Sequence, residues 1–178
     1  MKRFEVDDLG PGEIRQVLVA PAVVLSERCP DVSPEHEDTV RLAADLVATM
    51  RVSPGCVGLA ANQIGVPARV FCVDVSSHPK TRSCQGLIAL VNPEVVSATR
   101  KERAREGCMS VPDFTGDVRR ASRLTIGGYL PGSGEPIEFE TDAFEARALQ
   151  HELDHIDGLL FLDRVAAAHA IHPRQTYQ

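Results

Sequence analysis

The chain has 178 residues, 43% hydrophobic and 25% charged, with a formal net charge of −6. That suffices for one domain with its own core, and the acidic balance speaks against a nucleic-acid partner. No apolar run reaches the ~20 residues of a membrane helix, the opening "MKRFEVDDLGPGE" predicts neither a secretory nor a transit peptide, and five irregularly spaced cysteines (Cys29, Cys56, Cys72, Cys84, Cys108) predict free thiols in a reducing cytoplasm.

Residues 1–32 read as irregular, broken by Pro11, Pro21 and Pro30, with "VLVAPAVVL" lying along the body of the domain. "SPEHEDTVRLAADLVATMRV" predicts an amphipathic helix. Ser33 is a good N-cap, Pro34 suits the first helical position, and Val40, Ala43, Ala44, Val47 and Met50 mark one face. Pro54-Gly55 lies beyond its end. The middle of the chain, "ARVFCVDV", "LIALVNP", "EVVSAT", "SRLTIGGYL" and "PIEFET", reads as short strands rich in β-branched residues. Their short connections make them largely antiparallel. The arginines of 100–105 and 119–123 are expected on solvated faces.

A second helix is predicted over 142–156, with Asp142 as its cap, Glu145 completing a capping box, and Phe144, Ala148 and Leu149 on the buried face. Gly158 stands just past its end. The tail 166–178 has few bulky apolar residues and is expected to be a frayed helix or disordered. The order of elements gives an α+β fold: one long N-terminal helix, mostly antiparallel strands, and a C-terminal helix set against them. This is expected as a single domain over 1–178, with its core at about 10–165.

The second helix contains His151-Glu152-Leu153-Asp154-His155. Residues four apart share a helix face, so both imidazoles can aim at one metal. Glu152 can reach the edge of the same site and take a proton from a water there. His169 and His172 follow too closely, beside Pro173, and are expected to be solvent-exposed. The third ligand should therefore come from upstream. "REGCMSVPDF" offers Cys108, in a loop-like stretch between strands, either as a thiolate ligand or as a small buried core residue. "GCVGLAANQIGVP" offers small residues, Gly58, Ala60 and Ala61, that leave room for a close approach. It also offers Gln63, an amide donor suited to a developing oxyanion.

Together these stretches resemble peptide deformylase: Gly58-Leu59-Ala60-Ala61-Asn62-Gln63, Glu106-Gly107-Cys108-Met109-Ser110 and Gln150-His151-Glu152-Leu153-Asp154-His155, in the family's order. "GLLFLDRV" resembles the family's continuation, and the likeness covers about 54–165. The resemblance implies a deformylase-like fold and a hydrolase that removes the formyl group from N-terminal formyl-methionine of new polypeptides. It implies Cys108, His151 and His155 as ligands of one divalent metal per chain, Fe2+ first, with Zn2+, Ni2+ or Co2+ able to occupy the site. Glu152 becomes the proton carrier, and Gln63 and the Met109 N–H face the carbonyl oxygen. Val57, Leu59, Phe144 and Leu149 are candidates for the methionine slot, with Gly58 and Gly107 beside the peptide. Gln150 and Asp154 are expected to orient ligands and loops. A monomer with passing ribosome contact is expected.

Three departures stand out. Cys56 occupies a place often held by glycine, and is expected to be a packing residue. Thr115 stands near where some bacterial members carry an arginine beside the peptide. "APAVVLSE" lacks the family's Leu-Arg pair. The rival readings are a metal amidase acting on another formylated peptide or small molecule, and a binding protein descended from a deformylase. Intact Gln63, Cys108 and Glu152 argue against the second.

Overall fold

A strand covered on one side alternates polar and apolar residues, whereas one covered on both sides does not. "VFCV" at Val70–Val73 and "IALV" at 88–91 contain no polar residue, and every position is buried. The computed structural model describes residues 9–175 and supplies both covers. Helix α1 (Glu37–Val52) packs Leu42, Ala43, Leu46, Val47 and Met50 against Val70, Cys72, Ala89 and Val91. Helix α2 (Ala143–Ile156) packs Ala146, Ala148, Leu149 and Ile156 against Phe71, Val73, Ile88 and Leu90 on the other face.

The sheet between them runs β1 (Gly58–Ala60), β2 (Val70–Val73), β3 (Ile88–Cys108), β4 (Val111–Tyr129) and β5 (Pro136–Asp142), antiparallel at every pairing. "LIALVNP" and "EVVSAT" are one strand, not two. The break at Pro93 is absorbed by a register shift between Val91 and Glu94, with Asn92 at φ 47°, and β3 runs on for 21 residues. Cys108 is therefore the last residue of a strand rather than part of a loop.

Helix α1 starts three residues later than Pro34. His36 is its N-cap and accepts from the Asp38 N–H at 3.2 Å, while Ser33–His36 close a turn. Val40 is only half-buried. Asp45 and Thr49 are buried on α1 because residues 13–15 reach them: Glu13 N and Arg15 Nη1 donate to Asp45, and Arg15 N donates to Thr49.

Asp142 occupies the N-cap position of α2, but its side chain makes no capping bond. Glu145 turns away instead, accepting from Thr141 Oγ1 (2.6 Å) and Gln85 N (2.8 Å), so the capping box does not form. Gly158 follows the helix at φ 78°, a left-handed conformation that favours glycine.

The tail is not frayed where it is described. Ile171–Pro173 forms β6, pairing with Phe114, Thr115 and Gly116 of β4, a stretch with no other strand on its outer edge among the described residues. The last three residues lie outside the described ones. His169 is exposed, but His172 is half-buried, 3.4 Å from Asp117. Among the described residues, no helix is long and apolar enough to cross a membrane.

A third, smaller cluster joins Cys108, Val111 and Val118 to Phe161, which is 1% exposed. Phe161→Ala removes its largest member, and the expected cost is ~3–5 kcal/mol of unfolding free energy in urea titration.

Candidate metal centre

One turn of α2 separates His151 from His155, and their ring centroids lie 4.9 Å apart. The hairpin between β3 and β4 brings Cys108 across to them. One ligand atom from each of Cys108, His151 and His155 lies within 4.8 Å of the others. Cys108 Sγ stands 3.2 Å from His155 Nε2. His151 Nδ1 is 3.0 Å from Glu106 Oε2 and donates to it, which leaves the lone pair on Nε2. Three mutually facing donors, one thiolate and two imidazoles, are chemically suited to a single transition-metal ion with an open position. The residues present fit a metal.

The electrostatics agree. Burial pushes the Cys108 thiol up, but the rings of His155 and His151 outweigh it and hold it well below the ordinary value. Burial pushes the Glu152 carboxyl up to about 7, despite the pull of His151 and His155. Glu152 is 4% exposed, and its Oε2 has no hydrogen-bond partner among the described residues. Its other oxygen rests against β1: a Cβ on Gly58 would lie 2.6 Å from Glu152 Oε1, so this position needs glycine.

The amide of Gln63 is oriented by its neighbours. Its Oε1 accepts from the Ala60 N–H at 2.9 Å, which turns the NH2 toward Ser110 Oγ (3.1 Å) and Cys108 Sγ (3.5 Å). An extended N-terminal segment straps this arrangement together. Leu18 N donates to the Gln63 carbonyl and Ala20 N to the Ser110 carbonyl. Asn62 donates to the carbonyl of His155, tying the Gln63 turn to α2.

Sequence reasoning missed one charged residue that holds the site. Arg120, expected on a solvated face, is 5% exposed. Its Nε and Nη2 grip Glu106 at 2.6 and 2.9 Å, and its Nη1 donates to Asp154 at 2.7 Å. Arg164 reaches the same Asp154 at 2.7 Å. Burial opposes ionisation of Glu106, yet its bonds to His151 and Arg120 hold its carboxyl at about 2. The signal was period two: Val118, Arg120, Ser122, Leu124 and Ile126 all point inward along β4. Gln150 pins α2 to the same strand, accepting from Ala121 N and donating to Ala121 O.

Above the buried floor lies a pocket lined by Val57, Gly58, Gly107, Met109 and Phe144, together with Gln63, Cys108, His151 and Glu152. Leu59 and Leu149 stand outside it, fully buried in the core, because they point away from the pocket into the two helix–sheet layers. Cys56 also lines the pocket, bonded to the Gly58 carbonyl at 3.0 Å, and burial pushes its thiol up to about 12. Thr115 pairs with His172, and Arg174, delivered by the same C-terminal strand, lies against Gly107 at the rim.

A family model described as polypeptide deformylase matches residues 14–170. A peptide deformylase from Pelotomaculum thermopropionicum is 38% identical over 152 residues, 85% of this chain and 92% of that protein. The crystal structure of the peptide deformylase from Thermotoga maritima superimposes with a TM-score of 0.77 at 31% identity, covering 87% of this chain and 99% of that one. A Met-Ala-Ser-bound class I type b peptide deformylase from Acinetobacter baumannii gives 0.78 at 29%, covering 85% and 99%.

Arg120→Met strips the buried carboxylates of Glu106 and Asp154 of their shared cation. The expected loss is ~3–5 kcal/mol of stability in urea titration, with metal affinity down ~10–100-fold in competition with a chelator.

Proposed function

The chain belongs to the polypeptide deformylase family, and on that premise we propose that Cys108, His151 and His155 hold one divalent metal, with Glu152, Gln63 and Met109 acting on the bound formyl group. The reaction is hydrolysis of the formyl group from N-terminal formyl-methionine of new polypeptides, releasing formate. The convergence of one sulfur and two ring nitrogens beside a buried glutamate oxygen that has no partner among the described residues carries this reading.

When bound, the metal supplies Lewis acidity, bringing the pKa of a coordinated water from 15.7 toward ~7. Burial raises the Glu152 carboxyl above the ordinary carboxylate range, which suits it to accept a proton and return it to the leaving amine. The bond between its own oxygen and Ala60 holds Gln63 Nε2 on the Cys108 side of the site, where it donates to Ser110 Oγ and Cys108 Sγ, and from there it can turn to the oxygen where negative charge gathers. The Met109 N–H, in the turn beside Cys108, is the second donor. Glu106 keeps the proton of His151 on Nδ1, and Arg120 keeps Glu106 ionised. Val57 and Phe144 give the methionine side chain an apolar wall, and Gly58 and Gly107 let the peptide backbone come close. The Met-Ala-Ser bound to the Acinetobacter relative is the kind of product this pocket would release.

Ferrous iron is the metal this reading favours, since a soft thiolate among two imidazoles accommodates it. The same reading takes the protein as a cytoplasmic monomer that meets nascent chains during passing ribosome contact.

Glu152→Ala is expected to abolish formate release from formyl-Met-Ala-Ser with metal content unchanged by elemental analysis. Gln63→Ala should lower kcat by ~10²–10³-fold. Stripping the metal with a chelator should remove activity, and iron should restore it. Aerobic storage should then inactivate the iron form while sparing the nickel form, because iron beside a thiolate invites oxidation. Equal losses in both forms would refute the iron-linked sensitivity.

A further inference from the structure

The pocket mouth is cationic in a chain whose net charge is −6. Lys80, Arg105, Arg147 and Arg174 all line it. The two carboxylates in the lining do not balance Lys80 and Arg147. Glu106 has both oxygens committed to Arg120 and His151, and Glu152 lies on the buried floor. Arg105 is paired with Asp117 at 2.7 Å. Lys80 is exposed, and neither it nor Arg147 forms a salt bridge among the described residues.

Two of these cations, Arg147 and Arg174, are held in place. On one wall Arg147 lies over the Phe144 ring, 5.7 Å from its centroid, and His78 stacks on Phe144 at 4.2 Å, with Lys80 two residues on. Across the mouth Arg174 is anchored by β6, its Nη1 3.3 Å from the Cys108 carbonyl. A formyl-methionine inserted toward Glu152 places the following residues between these walls.

We propose that this mouth selects formylated peptides with aspartate or glutamate in the two residues after methionine, Lys80 and Arg147 being the specificity-determining cations. This rests on reading the pocket as the peptide site. Carboxylates meeting Lys80 and Arg147 at this rim gain more than neutral side chains do, and lysines there are repelled.

The test compares kcat/KM of the metal-loaded protein for formyl-Met-Asp-Asp, formyl-Met-Ala-Ala and formyl-Met-Lys-Lys at low and high salt. The acidic peptide should lead the neutral one by ~10-fold at low salt, the lysine peptide should trail, and high salt should compress the series. K80Q/R147Q should erase the acidic advantage, and Lys80→Glu, on an exposed residue, should move the order in the same direction. Equal values, or an advantage indifferent to both variants, overturn the proposal. Calorimetry of Met-Asp-Asp and Met-Ala-Ala on metal-loaded Glu152→Ala reads the same preference without turnover, and equal Kd values also overturn it. Tighter binding of Met-Asp-Asp with no turnover of any formyl peptide by the wild type would sink the deformylase mechanism and leave the rim selectivity standing.

Discussion

A single guanidinium joins the two parts of the chain that must meet. Arg120 on β4 grips Glu106 on β3 with two nitrogens and Asp154 on α2 with a third. Glu106 in turn fixes the ring of His151, and Asp154 stands one residue before His155. Burying a cation and two carboxylates is costly, and the geometry offsets that cost only if every partner stays in place. Here they do, since Arg164 and the Gln150 carbonyl take up further valences of the same cluster. The position of the helix relative to the hairpin is thus set by charge pairing, where apolar packing alone would tolerate small slips.

Apolar packing does the coarser work. Because β2 and the start of β3 are buried on both faces, α1 and α2 are held on opposite sides of one sheet. Of the two helices, α2 carries His151 and His155, which face Cys108. Residues 18–20 tie the Gln63 turn to Ser110, and Asn62 ties it to the end of α2, so the amide, the thiol and the imidazoles share one rigid frame.

Much of this was legible in the sequence. His-Glu-x-x-His spacing predicted that His151 and His155 share a helix face, and the structure brings Cys108 and Gln63 from the other two motifs beside them. The apolar run at 70–73 and the β-branched stretches gave the sheet. What the sequence hid was hidden for physical reasons. Pro93 looked like a strand end, yet a bulge carries the strand through it. Glu145 fitted a capping box, but Thr141 and Gln85 offered it better partners. Arg120 sat among surface arginines, and only its inward register distinguished it. Leu59 and Leu149 adjoin motif residues, but side-chain direction on strand and helix sends them into the core. The C-terminal strand had no periodic signal of its own, because three residues suffice when a neighbour offers an open edge.

That outer edge of β4 is closed piecewise. β6 covers residues 114–116, Val165 bridges Val118, the Gln150 amide stands in for a missing strand at Ala121, and β5 takes over from Arg123. A long hairpin strand left bare would be a template for another molecule's backbone, the usual seed of sheet-to-sheet aggregation. Four short patches from distant segments deny that foothold to another molecule's backbone.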